Sequence, residues 1–265
     1  MANPFVKNVG GKRQLIPQLM KRVPETFKTY HEPFVGGGAL FFHLQAQGRI
    51  TKAILSDKNE RLVRTYRAIR ENPDHLLGWV KRIPITKEKF LEVRAENPDE
   101  GTDQEVAIWY LYLNRCCFNG LYRVNKRGEF NVSYGTPKAP LLNDEAIRAA
   151  SVALQCAEIL HEDFAGSARA ERGDFVYFDP PYIPLSETAN FTSYTADGFG
   201  MAEQVRLRDH IYALDDRGVY VVASNSDTPK TRELYGEFSI SAIPARRAVN
   251  CRAERRDGVS EVLIS

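Results

Sequence analysis

The sequence predicts an α/β protein with a mostly parallel sheet and an antiparallel hairpin at its edge. The first observation is a glycine-rich turn at 36–38 between a short strand and a helix, followed by a strand that ends at Asp57. That order is typical of one nucleotide-binding βαβ half. The second is an apolar run at 175–178 that has the length of a buried strand. The third is a pair of closing strands, 238–243 and 259–264, which would add the antiparallel edge.

Length and composition are ordinary for a soluble globular protein. The chain has 265 residues, 43% apolar and 26% charged, with a formal net charge of +2. Its four cysteines lack metal-ligand spacing and no signal peptide or membrane span is visible, so we expect reduced thiols, no metal and a cytoplasmic location. Basic residues cluster at 7–22, 115–138 and 246–256, whereas acids collect at 96–105. This segregation suggests a polyanion-binding face. A set of solvated surfaces is the alternative, and the charge distribution without other motifs favours it.

The N-terminal segment carries two adjacent glycines followed by Lys12, which lets the backbone approach a ligand with a cation beside it. It lacks the spacing and hydroxyl residue of a phosphate-binding loop, so we interpret it as a turn before a helix at 12–22. Asp57 follows Gly36 at the distance at which an acid binds both hydroxyls of a ribose. No third glycine follows Gly38, which favours a smaller adenosine ligand over a dinucleotide.

The middle of the chain predicts mostly helical structure with one hairpin. A helix covers 59–71, irregular structure broken by prolines covers 72–101, and a capping box at 102–105 begins another helix. Residues 119–134 predict two short strands around a turn at 125–128. A two-stranded ribbon of this kind fits the major groove of DNA.

Alternation would place Leu121, Arg123 and Asn125 on one face of this hairpin. Arg123 could then contact guanine O6 and N7, whereas Lys126 and Arg127 at the tip suit phosphates. A solvated basic hairpin is the alternative, and this segment alone leaves both interpretations open.

The second half predicts a helix at 141–157 that shifts into a strand ending near Asp163, at a second strand end beside the ligand. A cap or turn is the alternative role of Asp163. Residues 183–200 are typical of a loop over a site. A helix at 201–216 then precedes a strand at 219–224.

The segment Asp179-Pro180-Pro181-Tyr182 directly follows the strand at 175–178. Two prolines cannot continue a sheet ladder, so the chain turns at the carboxyl end of a strand, where α/β sheets bind ligands. The Asp179 carboxylate and the Pro180 carbonyl can both accept hydrogen bonds from one amino group. Tyr182 can stack on the flat ring that carries this group. A proline-rich turn with a surface tyrosine is the alternative.

Together these segments resemble the DNA adenine-N6 methyltransferases of the Dam type. The resemblance runs through almost the whole chain and is carried by residues 4–12, 32–38, 57, 112–135, 179–182 and 224–228. It implies a Rossmann-like S-adenosylmethionine-dependent methyltransferase fold made of residues 1–57 and 151–265. A mostly helical target-recognition domain bearing the hairpin would be inserted at 58–150.

The resemblance also implies the reaction and its partners. The methyl group of S-adenosylmethionine would pass directly to N6 of an adenine flipped out of double-stranded DNA, within GATC or a related short site. It places the chain among enzymes of DNA methylation and restriction–modification, prokaryotic or phage-encoded and associated with the nucleoid. Asn8 stands where a tryptophan is frequent in the family, and Ser133 replaces a usual proline.

The predicted site residues fall into three groups. The catalytic group is Asp179, Pro180, Pro181 and Tyr182. The cofactor group is Asn8, Lys12, Phe34, Gly36, Gly38, Asp57, Asp163, Phe164 and Asp179, of which Asn8, Lys12, Asp57 and Asp179 match cofactor contacts in similar enzymes. The DNA-binding group is Lys7, Asn119, Leu121, Arg123, Asn125, Lys126 and Arg127.

Three alternatives remain open from the sequence. A similar enzyme could methylate RNA or protein glutamine, although the basic hairpin favours duplex DNA. A nicotinamide-dependent dehydrogenase is suggested by the glycine turn and Asp57 alone. A DNA-binding module without activity is the alternative that is not an enzyme.

Overall fold

The computed structural model describes residues 3–7, 12–184, 199–245 and 259–265. Within these residues seven strands are present: β1 (Tyr30–Glu32), β2 (Ala53–Asp57), β3 (Ala157–His161), β4 (Phe175–Phe178), β5 (Tyr220–Ser226), β6 (Ile240–Ala245) and β7 (Val259–Ile264). They form one sheet in the order β3-β2-β1-β4-β5-β7-β6. Strands β1 to β5 are parallel, and β7 runs antiparallel to both β5 and β6. The predicted α/β class and the antiparallel edge hairpin are confirmed.

Helices cover both faces of the sheet. They are α1 (Ile16–Leu19), α2 (Ala39–Ala46), α3 (Glu60–Glu71), α4 (Pro73–Val80), α5 (Lys87–Ala95), α6 (Asp103–Cys116), α7 (Asp144–Ala153), α8 (Met201–Asp215) and α9 (Pro229–Leu234). In β4, Phe175 and Tyr177 belong to the core shared with α2, α3 and α6, whereas Val176 and Phe178 belong to the core beneath α8. A strand buried on both faces is apolar at every position, which explains the unbroken run in the sequence.

Two predicted segments are wrong. The helix expected at 12–22 is a short 3-10 turn followed by the four-residue α1, because Pro17 fits only in the first turn of a helix. The irregular segment expected at 72–101 contains α4 and α5. Pro73 occupies the first turn of α4, where its missing amide hydrogen costs nothing, and the side chains of Asn72 and Thr86 cap the two helices.

The predicted hairpin is present, but its strands are reduced to isolated bridges. Val124 pairs with Phe130 in antiparallel fashion. The turn at 125–128 closes as predicted, with the Gly128 amide donating to the Asn125 carbonyl at 2.9 Å. A sequence rich in turn formers and charged residues gives this segment few continuous ladder positions.

Helices α3 to α7 lie between β2 and β3, largely within the segment predicted as the insert, and α3 also packs against the sheet. Arg67 donates to the Ile159 carbonyl from Nε at 3.0 Å and from Nη2 at 2.8 Å. Arg70 donates to the Ala157 carbonyl at 2.9 Å. The predicted capping box at Thr102 and Glu105 is confirmed. The domain boundaries at 58 and 150 stay predictions.

No helix in the described part of the chain is both long and apolar enough to cross a membrane. The predicted loop at 183–200 lies largely outside the described residues, as do Asn8 and the basic segment 246–256.

Candidate active site

The predicted catalytic segment lies at the carboxyl edge of the parallel strands. Asp179 follows β4 immediately and faces the end of β5, where the Ser224 hydroxyl donates to Asp179 Oδ1 at 2.7 Å. The Lys12 ammonium lies 3.0 Å from the same oxygen, and Lys12 is only 8% exposed. The fold therefore brings Lys12 and Asp179 together, and two partners fix the orientation of the carboxylate.

Tyr182 lies beside this ion pair. The Lys12 ammonium is 4.3 Å from the centroid of the Tyr182 ring, and the Tyr182 hydroxyl donates to Glu261 Oε2 at 2.7 Å. Burial, together with the charges of Asp179 and Glu261, raises the pKa of Tyr182 well above its usual value. The phenol stays neutral and keeps the hydrogen that it donates.

A buried polar network holds the backbone on both sides of Tyr182. Gln204 Nε2 donates to the Pro181 carbonyl at 2.8 Å, and the Ile183 amide donates to Asn225 Oδ1 at 3.0 Å. Asn225 Nδ2 in turn donates to Gln204 Oε1 at 3.1 Å. Gln204 and Asn225 are each 1% exposed. Loss of the hydrogen bond between them would therefore leave a buried polar group without a partner.

The glycine turn and Asp57 form a second part of the site. The Asp57 carboxylate accepts from the Gly36 amide at 3.1 Å and from the Asn59 amide at 2.9 Å. A carboxylate has about four lone-pair positions, so these contacts leave capacity to accept from a hydroxyl group of a ligand. Burial raises the pKa of Asp57. At Gly38, φ is +63° and an added Cβ would lie 2.8 Å from the Tyr66 hydroxyl, which explains the glycine at this position.

Glu32 ends β1 between these two parts. It is 3% exposed and accepts from the Tyr30 hydroxyl at 2.9 Å. Burial raises the pKa of Glu32 to about 8. Glu32 therefore carries a proton near neutral pH, which limits the negative charge at an edge that already holds Asp57 and Asp179.

Phe34 and Phe164, both predicted to bind the cofactor, lie together with ring centroids 5.7 Å apart. Asp163 follows β3, where its side chain accepts from the Ala165 amide and begins a short 3-10 turn. Both Asp163 oxygens also accept from Arg206 at 2.8 Å. The structure thus gives Asp163 the capping role that the sequence left open, and its contact with a cofactor stays a prediction.

The predicted DNA-binding residues come from two distant segments that meet at Asn114. Asn114 Nδ2 donates to the carbonyls of Lys7 at 2.8 Å and of Gly120 at 3.0 Å, and Asn114 Oδ1 accepts from the Lys7 amide at 2.8 Å. An added Cβ at Gly120 would lie 2.3 Å from the Lys7 Cβ. Lys7 is therefore packed directly against the turn that carries Asn119, next to Leu121.

Within the hairpin, Arg123 is exposed and is held by a residue across the turn. Its Nε donates to Asn131 Oδ1 at 2.7 Å, and its Nη2 donates to the Asn131 carbonyl at 3.2 Å. The Asn125 side chain instead donates to Glu129 and accepts from the Arg127 amide, so it stabilises the turn. Lys126 and Arg127 are exposed at the tip, as predicted.

Two further features of this surface were not predicted. Phe118 is 53% exposed beside Asn119, whose φ of +54° is rare outside glycine. A cavity of about 290 Å³ nearby is lined by Lys7, Arg115, Thr136, Lys138, Pro140 and Leu141. The Arg115 Nε in this group is buried without a partner among the described residues. Three cations and no acid line this cavity, which suits an anion.

Sequence reasoning also missed most residues that support the site. The signal for Asn225 was a polar triplet, Ser224–Ser226, at the end of an otherwise apolar strand. The signal for Glu261 was one acid inside the apolar segment 259–264. Asn114 and Gln204 lie in helices and carry no comparable local signal. Among the described residues, no group of histidine, cysteine and acidic side chains could hold a metal ion.

The sheet order, the glycine turn with Asp57, and the acceptors beside Tyr182 together define a Rossmann-like methyltransferase. A family model described as D12 class N6 adenine-specific DNA methyltransferase matches residues 9–249. The chain belongs to this family of S-adenosylmethionine-dependent enzymes, and it is a DNA adenine-N6 methyltransferase. The dehydrogenase and the inactive DNA-binding module are thereby set aside.

Three curated proteins show the same relationship over nearly their full length. The chain is 43% identical to the Type II methyltransferase M1.LlaDCHI of Lactococcus lactis subsp. cremoris, over 99% of this chain and 94% of that protein. It is 37% identical to the Type II methyltransferase M.MjaIII of Methanocaldococcus jannaschii, over 98% of each. It is 33% identical to the DNA adenine methylase of Escherichia coli strain K12, over 98% of this chain and 93% of that protein.

Proposed function

We propose that the protein transfers the methyl group of S-adenosylmethionine to N6 of an adenine flipped out of double-stranded DNA, within GATC or a related short site. The observation that carries the proposal is the joint placement of Asp179 and Tyr182. An oriented carboxylate acceptor and a braced aromatic ring lie side by side at the end of β4. An adenine inside the duplex could not reach them, because its N6 is paired and stacked.

The chemistry of the segment follows from its hydrogen-bonding capacity. The adenine amino lone pair is delocalised into the ring and is a poor nucleophile. Donation of the two amino hydrogens to Asp179 and to the Pro180 carbonyl localises that lone pair toward the methyl donor. Stacking on Tyr182 holds the ring plane, so the protein contributes mainly alignment and electrostatic stabilisation. Burial raises the pKa of Cys116 and Cys117 to about 11, so both thiols stay protonated near neutral pH, and the proposed mechanism needs no cysteine nucleophile.

The residues present fit the cofactor. Bound S-adenosylmethionine would supply an electrophilic methyl group on a sulfonium. Asp57 has acceptor capacity left for a ribose hydroxyl, and Phe34 and Phe164 offer an apolar wall for an adenine ring. Lys12 supplies a cation for the carboxylate of the methionine part. The two parts of the site lie along one edge of the sheet, as a transfer between two ligands requires.

The DNA surface follows from charge and exposure. Lys7, Lys126 and Arg127 are exposed cations suited to phosphates, and the cavity lined by Arg115 and Lys138 suits a further phosphate. Arg123, whose side chain is oriented by its hydrogen bond to Asn131, is the candidate for a guanine contact. An exposed apolar side chain can enter the space that a flipped base leaves, and Phe118 is suited to that role.

The decisive experiment measures methyl transfer directly. Purified protein is incubated with isotopically labelled S-adenosylmethionine and DNA lacking adenine methylation, and N6-methyladenine is then located by sequencing. Replacing Asp179 by asparagine should lower kcat by about 10²–10³-fold, since one charged acceptor at the reacting group is lost. The exposed Asp216→Asn variant is the matched control and should match the wild type. Equal turnover of the Asp179 variant would refute its catalytic role, and methylation outside GATC would redefine the site.

A second experiment separates base reading from phosphate binding. Arg123→Ala should relax the preference at one base pair by about 1–3 kcal/mol. Lys126→Ala should weaken binding to all sequences alike and reduce the slope of the salt dependence by about one. Duplexes varied at each position of the methylated site compete for each variant at several salt concentrations. If Arg123→Ala weakens binding uniformly with unchanged preference, the hairpin does not read bases through this residue.

A further inference from the structure

Glu261 reaches the active site from the antiparallel edge of the sheet. It lies on β7 opposite Ser226 of β5 and Ile243 of β6. Its side chain is 12% exposed. The other described side chains of β7 are serine or apolar, so Glu261 is the acidic residue among them. Burying a carboxylate is costly unless it is paired, so its contacts indicate why it is tolerated there.

Those contacts both lead to the catalytic segment. Glu261 Oε2 accepts from the Tyr182 hydroxyl at 2.7 Å and lies 3.7 Å from the Lys12 ammonium. The backbone on either side of Tyr182 is already fixed by Gln204 and Asn225. The remaining freedom of Tyr182 is rotation of its ring about the side-chain torsions. The hydrogen bond at the hydroxyl fixes the direction in which the ring points, and it also favours one ring plane, because a phenolic hydrogen lies in the plane of its ring.

We propose that Glu261 is a positioning residue that sets the plane of the Tyr182 ring by accepting its hydroxyl hydrogen. This inference rests on the proposed stacking of adenine on Tyr182. A ring held at its hydroxyl and at both neighbouring peptides presents one fixed plane to the flipped base. Alignment of the base in this way raises the rate of methyl transfer, although Glu261 itself does not contact the reacting atoms.

The test removes the same hydrogen bond from each side. Glu261→Ala and Tyr182→Phe should each lower kcat by about 10- to 100-fold, the range expected for a hydrogen bond to a charged acceptor. The double variant should be no slower than the slower single variant, because both act through one contact. Glu261→Gln keeps an acceptor oxygen and should restore most of kcat. Agreement between two variants on different elements excludes misfolding of either one as the cause.

A spectroscopic measurement reports the stacking itself. A duplex carries 2-aminopurine at the adenine that the wild-type protein methylates, and stacking on Tyr182 quenches its fluorescence. Glu261→Ala at saturating protein should give brighter fluorescence than the wild type. Tyr182→Phe should do the same and, because it keeps Glu261 beside Lys12, should leave the Kd for S-adenosylmethionine measured by calorimetry unchanged. Asp227→Asn is the control, since Asp227 accepts from Ser260 on the same strand and pairs with Arg232 away from Tyr182. This control should keep the wild-type kcat and fluorescence.

Three outcomes would overturn the inference. Wild-type kcat and fluorescence in Glu261→Ala would show that the contact positions nothing. A Glu261→Gln variant as slow as Glu261→Ala would show that charge near Lys12 matters rather than the hydroxyl contact. Additive losses in the double variant would show that the two residues act independently. Wild-type kcat in Tyr182→Ala would instead refute the proposed stacking, so the two failures are distinguishable.

Discussion

Replacement of Glu32 by glutamine should remove a pH dependence of stability that this buried carboxyl creates. Glutamine keeps an oxygen that can accept from the Tyr30 hydroxyl, whose distance from Glu32 is 2.9 Å, and it has nearly the same volume. The substitution therefore changes titration with little change in packing. Burial raises the pKa of Glu32 from 4.5 to about 8 in the folded protein.

The sign and size of the change in the free energy of unfolding with pH follow from that pKa. Below pH 4.5 both the folded and the unfolded chain hold the Glu32 proton, and its stabilising contribution is fully present. Between pH 4.5 and about 8 only the folded protein holds it, so a rise in pH favours unfolding. The free energy of unfolding of the wild type, relative to Glu32→Gln, should fall by about 1.4 kcal/mol per pH unit in this window. The relative stability should level off above it.

Urea denaturation of both proteins at half-unit pH steps measures this difference. Taking the difference between variants cancels the titration of all other groups. The exposed Glu233→Gln variant controls for the loss of one glutamate charge. A wild-type minus Glu32→Gln difference that stays constant from pH 5 to pH 8 would refute the reasoning, since it would mean that Glu32 ionises alike in the folded and unfolded chain.

Two other substitutions test the cofactor and DNA parts of the site. Asp57→Ala should weaken S-adenosylmethionine binding by about 1.5–3 kcal/mol, because ribose hydroxyls lose a charged acceptor, and calorimetry that gives an unchanged affinity would contradict this. Gly120→Ala should destabilise the fold by about 1–2 kcal/mol, because φ is +66° there and the new Cβ meets the Lys7 Cβ at 2.3 Å. It should also weaken DNA binding measured by fluorescence anisotropy, and unchanged melting and binding would show that Lys7 is not packed against this turn.

The parts of the fold that the sequence predicted correctly are those with a local physical cause. The apolar strand at 175–178 is recognisable because both of its faces are buried, and the capping box at Thr102 because both partners lie within one turn. Pro73 misled the prediction because the same residue that breaks a helix interior is well placed in a first turn. The hairpin was recognised from its turn, whereas the number of its ladder bonds depends on surroundings that a short segment does not reveal.

The candidate site divides in the same way. Asp57 and Asp179 each end a strand, and topology alone brings strand ends to one edge. Glu261 could not be assigned from the sequence, because its place beside Tyr182 depends on β7 entering the sheet between β5 and β6. The role of Asn114 likewise could not be predicted, because the sequence around an asparagine in a helix does not indicate which distant residues its side chain will bind.

The hydrogen bonds of Asn114 have a consequence for engineering new target specificity. This side chain joins Lys7 to Gly120, although Lys7 and Asn114 are 107 positions apart in the chain. The proposed recognition surface is therefore not one contiguous stretch of sequence that can be exchanged as a unit. A hairpin transplanted from a relative would lack the N-terminal residues 3–7 that pack against it in that relative's own chain. Libraries that vary residues 3–7 and 114–134 together should yield altered specificities that libraries confined to the hairpin miss.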